Sequence, residues 1–237
     1  MQRTIAALSI IAVLAGCSSS KSPNAGDSTA ATPMSKPAAN AELTERAADS
    51  VQAVGVPAAV ADVGTHGEDL YDEAKAANWT KARVIMDSLD KSASQLKANE
   101  RAALAGALDT VRKAVSAHDR QAAVEGANQV TFIAAHLTEA YNPKMPADIV
   151  RLDYYGRELE IWAARNDLAR LASTKADLQR TWDAVKPNVI SHGGNAAAAR
   201  TDSLVTRLAA AKTAREYAAV AKPFLDVVDE LEKPFEK

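Results

Sequence analysis

Pro57-Ala-Ala-Val60-Ala-Asp-Val63-Gly-Thr-His66-Gly67-Glu68-Asp69-Leu70-Tyr71-Asp-Glu73-Ala74-Lys-Ala-Ala77-Asn78 is the stretch on which the fold turns. Val60, Val63, Leu70 and Ala74 recur at helical spacing and fall on one face, with polar residues opposite. Pro57 opens the run, where a missing N–H costs nothing, and Asn78 at the break can cap the next helix. The pattern predicts a helix over 57–77.

The same pattern continues in both directions. Val130, Ile133, Leu137 and Tyr141 share a face, as do Leu152, Tyr155, Leu159 and Trp162. Helices are predicted over 42–54, 57–77, 79–97, 100–117, 120–141, 147–164, 167–186, 195–211 and 214–233. Asn78, Asn99, Asp119, Asn166 and Thr213 stand at the breaks as candidate caps. Pro187 closes one run, and Pro223 falls inside another, where a kink is expected. Composition agrees with helices. The 237 residues include 52 alanines, the strongest helix former, and only 5% aromatics. A sandwich or barrel is thereby disfavoured. The expected class is an all-α antiparallel helical bundle.

Two segments look alike. Gly67-Glu-Asp-Leu-Tyr-Asp-Glu-Ala74 aligns with Gly156-Arg-Glu-Leu-Glu-Ile-Trp-Ala163; with one residue shifted, Asn78 then corresponds to Asn166. Later helices come in the same order, which suggests a tandem duplication. The expected division is two four-helix units, 41–142 and 143–237, with antiparallel neighbours joined by short connections. Trp79, Trp162, Trp182, Phe132 and Phe224 are the expected anchors among many alanines. Full burial of Trp162 would make Trp162→Ala cost about 3–5 kcal/mol. Gly106 and Gly126, inside helices, suggest close interhelical contacts.

The N-terminus has a different character. Arg3 precedes an apolar run from Thr4 to Leu14, too short to span a bilayer, and the run ends in Leu14-Ala15-Gly16-Cys17. This segment resembles the lipobox of bacterial lipoprotein precursors. The resemblance implies a signal peptide over 1–16, removed before Cys17, and acylation of Cys17. Three acyl chains exceed the two-signal requirement for stable anchoring. Ser18 comes after the cysteine, with no Asp there. In Gram-negative lipoproteins that implies sorting to the outer membrane, with the body facing the periplasm. Residues 18–40 are Ser, Ala, Pro and Gly with almost no large apolar side chain, a disordered tether. Its 23 residues would reach roughly 26 Å.

Charge and cysteine count narrow the function further. The net charge of −2 argues against a strongly basic nucleic-acid binder, and one cysteine leaves no intrachain disulfide and no Cys-rich zinc site. No His-Glu-x-x-His, phosphate loop, Gly-x-Ser-x-Gly, EF-hand loop or paired Glu-x-x-His occurs. Non-catalytic binding or scaffolding is therefore the expected role, toward an unidentified protein or small molecule, with no cofactor.

Two constellations remain. His136 and Glu139 lie on one side of a helix, and His66, Asp69 and Glu73 lie on the first helix of the same bundle. In an up-down bundle the heights of the two histidines differ by about 6 Å. Two His with carboxylates can ligate a transition metal, or the pair a haem. This is the alternative to a cofactor-free body. The second constellation, Arg151, Asp153, Tyr154 and Arg157, concentrates residue types favoured at ligand or partner surfaces.

Overall fold

The computed structural model describes residues 55–236, so the signal peptide, Cys17, the tether and the expected helix 42–54 lie outside the described residues. Eight α-helices succeed one another: α1 Ala58–Lys75, α2 Trp79–Ser94, α3 Ala98–Ala117, α4 Arg120–Glu139, α5 Ala147–Ala164, α6 Leu168–Ser191, α7 Asn195–Ala210 and α8 Ala214–Glu232. A short 3-10 turn, Lys233–Phe235, comes last. Among the described residues there is no strand, and the chain is an all-α bundle.

The termini explain most of the boundaries. Asp119 accepts from the N–H groups of Gln121 and Ala122 and starts α4. Thr213 and Glu216 cap each other's backbone at the start of α8. Glu100 accepts from the Lys97 N–H at 2.8 Å. That bond starts α3 two residues earlier than predicted and leaves Asn99 inside the first turn rather than at the cap. Pro187 does not close α6, which runs on to Ser191. Its ring is exposed while Val185 and Val189 are buried, so the helix loses one hydrogen bond and keeps its apolar face. Pro223 sits likewise on the exposed side of α8.

Antiparallel packing results from side-chain size. α1 packs on α2 and α4, and α4 on α3; α5 packs on α6 and α8, and α8 on α7. A Cβ on Gly64 would lie 3.6 Å from Ala134, and one on Gly67 would lie 2.9 Å from Thr131 Oγ1. Rising numbers on α1 therefore meet falling numbers on α4. In the second half a Cβ on Gly156 would lie 2.6 Å from Leu225 Cδ2 on α8. Gly126 likewise admits the Val111 backbone of α3, within 3.2 Å of its absent Cβ. Gly106 does not fit the expectation: nothing lies within 4 Å of its Cβ position, and it faces solvent.

The first helices of the two halves match turn for turn. α1 and α5 each have 18 residues and begin after Pro57 and Pro146. Each ends in a left-handed residue, Ala77 (φ 56°) or Asn166 (φ 53°). The next N–H then reaches back to a carbonyl, Asn78 to Glu73 at 2.8 Å and Asp167 to Trp162 at 3.0 Å. The register thus runs on without the expected one-residue shift. Asn78 corresponds to Asp167, which caps α6 by accepting from the Arg170 N–H. Asn166 sits in the turn, where its tolerance of the left-handed region is used.

Trp162, Trp182 and Phe224 are buried, whereas Trp79 and Phe132 are half-buried. The halves share one core, because α4 also packs along α5. With α4 antiparallel to both, α1 and α5 run parallel to each other and meet through side chains.

Candidate functional site

α5 is the central helix of the described body. α4, α6 and α8 pack around it, and α1 reaches it through side chains. At 100° per residue, neighbouring positions on such a helix meet different partners. The cluster Arg151, Asp153, Tyr154 and Arg157 is dispersed in this way and forms no common surface. Arg151 pairs with Asp148 at 2.7 Å and with Glu139 of α4 at 2.6 Å. Tyr154 packs on Phe132, with centroids 4.6 Å apart, and donates to Glu158 at 3.0 Å. Asp153 and Arg157 pair at 2.7 Å and turn inward.

That inward pair lies at a polar joint between the halves. Arg157 is only 9% exposed, and its guanidinium lies 5.0 Å from the centre of the Tyr71 ring. Its Nη1 has no hydrogen-bond partner. Glu68 of α1 and Glu232 of α8 lie within electrostatic reach of this pair. Burial pushes the Glu68 carboxyl up to about 7; Arg157 opposes the rise, while Asp153 and Glu232 add to it. Burial also raises Glu232 to about 7, with Asp153 and Asp229 adding to it. Asp153 is raised by its own burial despite Arg157.

Tyr71 divides this joint from a cleft. Its ring faces Arg157, and its hydroxyl donates to Glu160 of α5 at 3.0 Å. Lys75 donates to the same carboxylate. Burial and the Glu160 charge raise the Tyr71 hydroxyl well above the ordinary tyrosine range, so it stays a donor. The cleft encloses about 280 Å³ where α1 and α5 end and α4 begins. Val124, Ile161 and Ala164 supply apolar lining, and Lys75, Arg120 and Arg165 bring positive charge to it. Arg165 is held on three sides: it pairs with Glu125 at 2.7 Å, donates to the Gln121 carbonyl at 3.2 Å and stacks on Trp162 at 4.8 Å.

The expected metal ligands do not come together as a set. His136 faces Glu139 at 3.1 Å, and Arg151 binds the other oxygen of that carboxylate. A guanidinium in that place repels a cation. Glu73 pairs with Lys81 at 3.2 Å, and Asp69 is exposed. Among the described residues, no group of three His, Cys, Asp or Glu side chains could hold a metal ion.

Glu68, Lys75, Arg120, Glu160, Arg165 and Glu232 do not stand out in the sequence. One signal was present. The alignment of the two segments sets Glu68 beside Arg157 and Tyr71 beside Glu160; in the folded chain Tyr71 donates to Glu160, and Glu68 lies within reach of the Arg157 charge.

Residues 1–18 match the family model of the prokaryotic membrane lipoprotein lipid attachment site. The chain is a bacterial lipoprotein precursor, anchored to a membrane of the cell envelope by lipid. Cys17 is its only cysteine, hence the only thiol that such a site can use. Among the described residues, no helix is long and apolar enough to cross a membrane. No curated protein and no solved structure matches the chain.

Proposed function

We propose that this lipoprotein is sorted to the outer membrane, faces the periplasm, and acts without catalysis by binding a ligand in the cleft between α1, α4 and α5. The observation that carries the reading is the cleft itself. An apolar floor meets polar groups that are already held in place by Glu160, Glu125 and Trp162. Such pre-fixed groups bind with little ordering cost. Ser18 after Cys17 supports the outer-membrane assignment, and residues 18–40 act as the spacer. The equal lengths and matching end turns of α1 and α5 support reading the body as a tandem duplication. In this reading the body needs no cofactor.

Separation of envelope membranes by density tests the address. The acylated chain is expected in the outer-membrane fraction, and Cys17→Ala is expected to lose acyl labelling. Recovery of the acylated wild type in the inner-membrane fraction overturns the address. A chemically diverse fragment set, screened by NMR on the full mature chain in detergent, tests the binding role. Shifts converging on the Val124, Ile161 and Ala164 amides support it. A screen that leaves those amides unmoved overturns it.

A further inference from the structure

The cleft's charges are not equally committed. Lys75 is bound to Glu160, which also accepts from Tyr71. Arg165 is bound to Glu125 and to the Gln121 carbonyl. Arg120 is different. It is exposed and makes no ion pair among the described residues. It is also the first residue of α4, where the helix dipole disfavours a cation. The neighbouring Asp119 carboxylate is spent on the Gln121 and Ala122 N–H groups. Local helix energetics therefore give no reason for a positive charge at this position.

We propose that the cleft takes a small organic carboxylate with a compact apolar body, its carboxylate on Arg120 and its body on Val124, Ile161 and Ala164. The inference rests on the cleft being the binding site, and it adds the ligand class. One uncommitted guanidinium matches one negative charge, and its planar fork suits the two oxygens of a carboxylate. A phosphate dianion would carry a second charge with no free cation to meet it. The ligand is small because about 280 Å³ falls below the roughly 300 Å³ at which drug-sized sites begin. Its body is apolar because, beside Gln121, the uncharged α4 and α5 side chains that line the cleft are Val124, Ile161 and Ala164.

Three probes with the same ring separate the possibilities: cyclohexanecarboxylate, cyclohexanemethanol and cyclohexanemethylamine. Each is titrated by NMR into the full mature chain and into Arg120→Gln and Arg120→Lys. The carboxylate should move the Val124, Ile161 and Ala164 amides and bind about tenfold tighter than the alcohol. Arg120→Gln should remove that preference, while Arg120→Lys should keep part of it. The ligand class is overturned, with the cleft standing as a site, if the alcohol or amine binds there as tightly as the carboxylate. It is also overturned if Arg120→Gln leaves carboxylate affinity unchanged. If none of the three moves those amides while fragments from the diverse set do, the class fails alone. If neither set moves them, class and site fail together.

Discussion

Tyr71 and Glu160 stand 89 positions apart and are joined by a hydrogen bond, with the hydroxyl donating to the carboxylate at 3.0 Å. They occupy aligned positions on α1 and α5. The bond ties α1 to α5, and it forms one edge of the cleft. Tyr71→Phe removes the donor and keeps the ring over Arg157. Glu160 retains Lys75, so the loss should be about 1 kcal/mol, read as a lower urea midpoint with unchanged slope.

The joint behind Tyr71 should make stability depend on pH. Glu68 and Glu232 are each raised to about 7 from an ordinary 4.5. Their charges are coupled to Asp69 of α1, to Asp153 and Arg157 of α5, and to Asp229 and Glu236 at the C-terminal end. Folded, both carboxyls hold protons between those two pH values; unfolded, they release them. Their contribution is thus fully favourable below about pH 4.5 and is lost as pH rises through 7. Glu68→Gln should be more stable than wild type at pH 8, by about 1–2 kcal/mol after solvent screening, with the gain shrinking toward pH 4.5. Glu232→Gln, at the more open position, should gain less. Urea unfolding across this range checks both, and an acid-side gain would contradict the assignment.

The two helix-interior glycines should respond in opposite directions to alanine. Gly106 has open space at its Cβ position, so Gly106→Ala should stabilise by about 0.4–1 kcal/mol through the unfolded chain. At Gly126 a new methyl would meet Val111 Cβ at 3.0 Å and its Cα at 3.2 Å. Neither atom can move without shifting α3, so Gly126→Ala should cost about 1–3 kcal/mol. Thermal melts of the pair test whether contact, rather than residue type, decides.

The histidine pair should leave no trace of a metal site. Elemental analysis of the purified chain should find no stoichiometric transition metal, and His66→Ala and His136→Ala should not change that result. His136 is exposed, so its removal should alter stability by no more than about 0.5 kcal/mol. A stoichiometric metal lost in either variant would refute the cofactor-free reading.

Trp162 is legible from sequence in one respect and not in another. Its place on an apolar stripe predicted burial, and it is 2% exposed. That Arg165 and Arg170 both lie over its ring, at 4.8 and 4.1 Å, is not legible in any spacing. It depends on how the turn at Asn166 leads α5 into α6. Pro187 shows the same limit. A proline reads as a stop, but buried Val189 beyond it keeps the helix going. Gly106 and Gly126 read alike, and only the distance to Val111 separates them.

Asn78, Asn99 and Asn166 cap no helix with their side chains, but the eight described helices, the Asp119 and Thr213 caps and the lipid attachment site are legible in the sequence. Each of these depends on residues within a few positions of one another: periodicity and capping act locally, and a processing signal is read as a linear segment. Which polar side chains meet is set by tertiary packing. Asp153 and Arg157 looked like an exposed cluster and became a buried joint. Lys75, Arg120 and Arg165 look unrelated in the sequence and line one cleft. The reason is geometric. Helices whose facing sides are lined with Gly and Ala approach closely, and the direction of each long side chain at that separation is set by partners far away in the chain.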